Sequence, residues 1–276
     1  MLSITTDYVK DTGCPAPFLE KIAAAGFSHV HWCHHWNTDF IYSRHEIKQI
    51  KKWLGDFGLK LLDLHASAGV EKNWGSLAEY ERLSGVELVL NRLEMSAELG
   101  GDAIVMHLPA MEQNSLHRKP LYKSLDALLP AARELKVNIA VENGSFEAIE
   151  SVFNDYPDPC LGLCYDSGHG NMGAGRGLMD LDRLKSRLMV VHLHDNDGVS
   201  DLHRPMFTGT VDWNELAGII AGSAYDKCPS TEANMRRGPG NETEEAFLSE
   251  CFQACEKFAG MTAAFKGEKN KTWRIL

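Results

Sequence analysis

No apolar run in the chain approaches the ~18 residues a membrane-spanning helix needs, which sets aside an integral membrane protein. Positive charge is in the minority: 28 Lys and Arg stand against 38 Asp and Glu, a formal net charge of −10, and the one basic run, Lys266 to Arg274, is short and terminal. Nucleic-acid-binding domains normally carry a basic face, so this balance disfavours that class of partner. The seven cysteines (Cys14, Cys33, Cys160, Cys164, Cys228, Cys251 and Cys255) lack the paired spacing of a zinc ribbon, and reduced thiols suit a cytoplasmic protein. Cys164 reads as a small buried hydrophobe in mid-strand. The opening residues MLSITTDYVKDTG lack the charged-then-apolar order of a secretory leader, and a cytoplasmic location is expected. Without a Pro/Gly/Ser-rich linker or an internal repeat, residues 1–276 are expected to form a single domain.

A content of 44% hydrophobic and 24% charged residues is that of a globular protein with a full core. Short apolar runs alternate with longer amphipathic stretches from end to end. The runs predict strands at Leu2–Thr6, His29–Trp32, Leu59–His65, Ala103–His107, Val137–Glu142, Leu161–Asp166, Leu188–His194 and Pro229–Ala233. The clearest predicted helices are Pro17–Ala25, Ser43–Phe57, Ser76–Leu99, Leu121–Leu135, Phe146–Asn154, Trp213–Ala221 and Thr243–Phe258. Gly26, Gly58 and Gly100 stand just past three helix ends, where a left-handed cap is wanted. Eight βα units in strict alternation, in a chain near the ~250 residues typical of the fold, predict a single (β/α)8 barrel of the α/β class.

Side chains of a strand alternate faces, and in a closed parallel sheet one set looks inward. Five strands follow this rule. Leu61, Asp63 and His65 read as inward, as do Ala103, Val105 and His107. The same holds for Asn138, Ala140 and Glu142, for Gly162, Cys164 and Asp166, and for Val190, His192 and His194. The eighth strand places Glu232 similarly. A metal-ligand type of residue therefore stands at or near the last inward position of six strands, at the C-terminal mouth where barrels of this kind carry their sites. A lone His there reads as a hydrogen-bonded structural residue, and a lone carboxylate as a helix cap. Their joint occurrence points instead to a divalent cation, with Glu142, Asp166, His192 and Glu232 as ligands. Imidazole and carboxylate ligands suit Mn, Zn, Co or Fe and leave the choice open.

These stretches resemble the xylose isomerase-like TIM-barrel superfamily, which holds sugar and sugar-phosphate isomerases and epimerases together with the apurinic endonuclease IV group. The matching pieces are LLDLHAS with His65, IVMHLPA with His107, AVENG with Glu142, and CYDSGHGN with Asp166 and His169. VVHLHDNDGVSDLHRP with His192, Asp201 and His203, and STEAN with Glu232, complete the set, which spans roughly residues 26 to 260. The resemblance implies a shared metal on Glu142, Asp166, His192 and Glu232. It implies that His65, His107, His169, Asp201 and His203 are second-site metal ligands or substrate contacts. In one place the chain departs from the family: Phe207 stands where members often have the first glycine of a turn, so the loop over the substrate is expected to differ in shape.

Two functions of different class follow. One is a metal-dependent isomerase or epimerase acting on a carbohydrate-like hydroxy-carbonyl compound through an enediolate. Glu142 and Glu232 would exchange the proton, and His194, Asp63, Arg236 and Trp36 would contact substrate. The other is a metal-cluster phosphodiester hydrolase of the endonuclease IV type, or a lyase or dehydratase on the same barrel. Trp36, with His34 and His35, serves either as a wall against a sugar face or as a contact within a homo-oligomer. Arg236 and Arg237 serve as anion ligands or as plain surface. His29, His31, His45 and His117 receive no role. Gly168-His169-Gly170-Asn171-Met172-Gly173 matches a dinucleotide fingerprint. It is set aside because Gly175 and Gly177 follow at once and no helix start is expected there.

Overall fold

A computed structural model describes residues 1–9, 13–66, 69–109, 117–172, 177–235 and 243–272, with side chains through 267. Strands β1 (Ser3–Thr5), β2 (His29–Trp32), β3 (Lys60–His65), β4 (Ala103–Met106), β5 (Asn138–Glu142), β6 (Leu161–Asp166), β7 (Leu188–His192) and β8 (Ser230–Thr231) form one parallel sheet in chain order. β8 returns to pair with β1, and Leu193 bridges Thr231, so the sheet curls into a nearly closed (β/α)8 barrel. Two backbone hydrogen bonds hold that seam, Leu193 N–H donating to the Ser230 carbonyl at 2.9 Å and Glu232 N–H to the Leu193 carbonyl at 3.1 Å, and the Thr231 hydroxyl donates to the same Leu193 carbonyl at 2.9 Å.

Helices α1 (Ala16–Ala24), α2 (Arg44–Asp56), α3 (Glu79–Leu99), α4 (Arg118–Leu135), α5 (Phe146–Asp155), α6 (Ser167–Asn171), α7 (Gly177–Leu184), α8 (Trp213–Ala221) and α9 (Glu244–Thr272) connect and surround the strands. The start of α2 is a capping box: the Ser43 hydroxyl accepts from Glu46 N–H while the Glu46 carboxylate accepts from Ser43 N–H. Three elements depart from expectation, the first being α7, which stands where no helix was placed. A one-turn helix, α6, does start directly after β6, over part of the glycine-rich stretch. Its N-cap is Asp166, whose side chain already accepts the His169 N–H, so a carboxylate of the chain occupies the helix end that a pyrophosphate would need. Gly173 and Gly175 lie outside the described residues. α9 runs past Phe258 to Thr272, because its polar extension keeps good helix formers and seats Phe265 against α8 at Gly218.

The alternation rule places the core. Ala103, Val105, Ala140, Cys164 and Val190 form a small cluster inside the barrel. Ile104, Met106, Ile139, Val141, Leu163, Tyr165, Val191 and Leu193 join the large outer core under the helices. Leu61 is the exception. It belongs to the outer core, because the β2–β3 pairing slips between Val30 and His31, so that Val30 pairs with Leu61 but His31 with Asp63. The extra residue is a β-bulge, which reverses parity below Asp63 and leaves Asp63 and His65 inward as expected.

The exposed residue after α4, Lys136, sits at φ 57°, a left-handed conformation with no bond that requires a side chain. Lys136→Gly should therefore stabilise the fold by about 0.5–1 kcal/mol, read as a higher denaturation midpoint at unchanged slope.

Candidate metal centre

The inner ends of β3 to β8 deliver their polar side chains to one cavity of about 270 Å³. It is lined by Asp7, Trp36, His65, His107, Glu142, His169, Asp201, His203, Glu232 and Asn234. Neither Lys nor Arg occurs among these residues.

Glu142 is the hub. Its Oε2 lies 3.1 Å from His65 Nε2 and 3.2 Å from His107 Nε2. Its Oε1 lies 3.3 Å from His192 Nδ1 and 3.5 Å from His169 Nδ1. His192 Nδ1 is also 3.4 Å from Glu232 Oε2, and His169 Nδ1 is 3.9 Å from Asp166 Oδ1. Glu142, His192 and Glu232 thus adjoin one another, and Asp166 is joined to them through His169. Beside them, His65, His107 and Glu142 bring ligand atoms within 4.8 Å of one another, and so do His169, Asp201 and His203. His203 is held by its Nδ1–H, donated to the Glu232 carbonyl at 2.8 Å, which leaves Nε2 facing the Asp201 carboxylate at 3.1 Å.

The donor chemistry fits a cation. His65 gives its Nδ1–H to the Ala66 carbonyl at 3.1 Å, so in the neutral ring Nε2 is a lone pair aimed at a carboxylate oxygen. Two acceptors meet there, and only a proton or a cation reconciles them.

Electrostatics follow the same crowding. Burial works to raise the Glu142 carboxyl, but His107 and His192 hold it well below its ordinary value. Asp166 is likewise lowered: burial opposes, while His169 and His194 outweigh it. Glu232 goes the other way. Burial, reinforced by Glu142 and only partly offset by His192, pushes it up to about 8. His107 falls to about 4 through burial, whereas the Asp166 and Glu142 carboxylates raise His169 against burial. Two carboxylates of one cavity thus favour opposite protonation states in the cation-free protein.

Expected substrate contacts divide. Trp36 lines the cavity, its ring 4.7 Å from that of His65. Asp63 and His194 do not line it. Asp63 is fully buried against His31. His194 is also fully buried, its Nε2–H donated to Asp166 Oδ2 at 3.0 Å and its ring stacked on His203 at 3.9 Å. The causes differ: Asp63 lies one layer below His65 in β3, whereas His194, beyond the end of β7, is covered by the His203 ring and held on Asp166. Arg236 lies outside the described residues, as does Arg237. Phe207 adopts φ 70°, the conformation a turn glycine would take, and packs its ring on Trp213 and under the Lys257 ammonium.

Sequence reasoning passed over Asp7, Asn234, Cys33 and His31. Alternation carried through and just past β1, β2 and β8 would have found them: Asp7 is two residues past Thr5, Asn234 two past Glu232, and Cys33, just beyond β2, two past His31. His31 is fully buried, its ring 4.2 Å from that of His192.

Comparison with known proteins places this geometry. The family described as Xylose isomerase-like TIM barrel matches residues 19–251. Uncharacterized protein y4fM of Sinorhizobium fredii is 30% identical over 251 residues, covering 79% of this chain and 81% of that one. Among solved structures, a D-tagatose 3-epimerase-like protein superposes with a TM-score of 0.76 at 20% identity, covering 97% of this chain and 98% of its own. The 3-keto-D-glucoside 4-epimerase YcjR of E. coli gives 0.72 at 18% identity, covering 92% and 98%. At those identities the likeness is one of fold.

Two outcomes are expected. A Cβ at Gly168 would fall 1.9 Å from His194 Cε1, so Gly168→Ala should displace His194 from Asp166 and cost about 1–3 kcal/mol in thermal unfolding. Because Glu232 holds a proton up to about 8, a cation that ligates it must displace that proton. Since the His192 imidazole, also raised by the neighbouring acidic groups against burial, must shed a proton as well, affinity for Zn²⁺ or Mn²⁺ by titration calorimetry should rise by at least about tenfold per pH unit as the pH approaches that value.

Proposed function

The chain belongs to the xylose isomerase-like TIM-barrel family, and from that membership and the cavity we propose a divalent-metal-dependent isomerase or epimerase of a small carbohydrate-like hydroxy-carbonyl compound. The observation that carries the reading is the pair Glu142 and Glu232, which flank His192 at 3.3 and 3.4 Å and border one cavity free of Lys and Arg among its described lining. A cation held by Glu142, Asp166, His192 and Glu232 would supply Lewis-acid stabilisation of the negative charge that develops on substrate oxygens when a proton leaves the carbon beside a carbonyl.

The chain's own residues divide the remaining work. Glu142 and Glu232 come from β5 and the end of β8, on different arcs of the ring, and approach a bound substrate from different sides. One takes the proton from carbon and the other returns it. Trp36 offers an apolar face of the kind that covers the C–H side of a sugar ring. Asp7 and Asn234 border the same space and suit hydroxyl groups. His194 keeps Asp166 oriented, and Asn143 clasps the same strand end by accepting the Asp166 N–H at 2.5 Å and donating to its carbonyl at 3.0 Å.

A second reading, a metal-cluster phosphodiester hydrolase, draws support from the further ligand groups His65–His107–Glu142 and His169–Asp201–His203. The lack of a Lys or Arg among the described lining residues weighs against a phosphate ligand.

The discriminating experiment uses a panel of ketoses, ketose phosphates and cyclic polyol ketones in D₂O with the metal-loaded protein. Glu142→Gln and Glu232→Gln should each lower solvent-deuterium incorporation into active substrates by about 10²–10⁴-fold. Undiminished exchange in both variants, or cleavage of an apurinic-site duplex with no exchange on any panel member, would sink the epimerase reading.

A further inference from the structure

Glu232 has two oxygens that look in different directions. Oε2 faces His192 and belongs to the centre described above. Oε1 faces two side chains that the proposed reaction does not use: it lies 3.9 Å from His31 Nε2 of β2 and accepts from the Cys33 thiol, one residue past that strand, at 3.8 Å. Both residues are buried, His31 at 0% and Cys33 at 2% exposure.

The state of the His31 ring can be derived. Its Nδ1 is hydrogen-bonded to Asp63 Oδ1, its register partner on β3. A carboxylate oxygen paired with an imidazole nitrogen is the acceptor of that bond. The ring proton therefore sits on Nδ1, and Nε2 presents a lone pair. This atom is enclosed and has no hydrogen-bond partner among the described residues. A histidine whose one nitrogen is tied to a carboxylate while the other points a lone pair into a polar pocket has the arrangement of a metal ligand.

Distance decides what lies between Nε2 and the carboxylate oxygen. A separation of 3.9 Å exceeds the ~3.2 Å limit of a good hydrogen bond, so a shared proton does not account for it. With metal–nitrogen and metal–oxygen bonds of about 2.0–2.2 Å, two ligand atoms at a tetrahedral angle stand roughly 3.3–3.6 Å apart, and a sulfur ligand at about 2.3 Å widens that slightly. The observed 3.9 and 3.8 Å need only a small contraction to meet those values. One ligand atom from each of His31, Cys33 and Glu232 already lies within 4.8 Å of the others.

We propose that His31 Nε2, Cys33 Sγ and Glu232 Oε1 form a thiolate-containing site for a divalent cation of zinc type, with Asp63 as the carboxylate that fixes the imidazole. Imidazole, thiolate and carboxylate together favour zinc or cobalt over magnesium or calcium. The site shares Glu232 with the catalytic centre but does not rest on the epimerase reading. Exchange assays can fail while this site stands, and the reverse also holds.

The test is cobalt substitution of the full-length protein, followed by near-ultraviolet absorption. A thiolate-to-cobalt charge-transfer band is expected in the wild type and should vanish in Cys33→Ser, while the visible bands of the remaining nitrogen and oxygen ligands persist. His31→Gln should weaken the Co²⁺ affinity read from that band by at least about tenfold. No charge-transfer band at saturating Co²⁺ overturns the proposal. So does a band that survives Cys33→Ser, or one lost only in Cys164→Ser, since Cys164 also lies near Glu142 and His192. Should Cys33→Ser fail to fold, zinc-edge X-ray absorption of the wild type keeps the question open to refutation. A sulfur scatterer at about 2.3 Å that is retained in Cys164→Ser supports the site, and its absence overturns it.

Discussion

Four imidazole nitrogens converge within 3.5 Å on the two oxygens of a single enclosed carboxylate, that of Glu142. Such a group is tolerable in a barrel interior only when its charge is met, since an unpaired buried charge costs several kcal/mol or more. The surrounding strands meet it from every side: His65 closes β3, His107 follows β4, His192 closes β7, and His169 rides on the turn of helix after β6. Each imidazole in turn is constrained by what its other nitrogen does or by the strand that carries it. The centre is therefore a property of the whole ring of strands and not of any one loop.

Around that hub the protein builds a supporting layer, most of it from buried residues. His194 and Asn143 fix Asp166, Gly168 lets the His194 ring lie against the backbone of α6, and the Glu232 carbonyl anchors His203. Asp63 and His31 continue the layer on the far side of Glu232. The left-handed backbone at His203 and Phe207 shows where the β7–β8 connection is bent to bring its ligand-type residues back over the mouth. Strain of that kind, on the order of 1–2 kcal/mol per residue, persists only where surrounding contacts hold it. At Phe207 those contacts are the Trp213 ring and the Lys257 ammonium.

Much of this was legible beforehand because two periodicities govern it. Eight apolar runs separated by amphipathic stretches dictate a parallel closed sheet, and alternation along a strand dictates which side chains look inward. All eight strands stand where the pattern put them, and the interior cluster of Ala103, Val105, Ala140, Cys164 and Val190 is the inward set. The failures have physical causes. Leu61 reversed its facing because a bulge adds one residue to β3. The helix after β6 escaped notice because glycines carry little helical signal, and Asp166 supplies its cap from the strand itself. The end of α9 escaped because a solvated helix and a solvated tail have the same composition.

By itself the sequence determined the architecture, the inward residues of five strands apart from Leu61, and the residue types gathered at the mouth, since these depend on spacing along the chain. Depth was decided by the tertiary structure alone. His194 and Asp63 carry the same residue types as true cavity residues, yet are enclosed behind them, and His31 and Cys33 gain their meaning from a partner some 200 positions away at Glu232. How far a side chain lies below the rim depends on the stagger and closure of the strands around it. That is a relation between strands, which no pattern within one strand encodes.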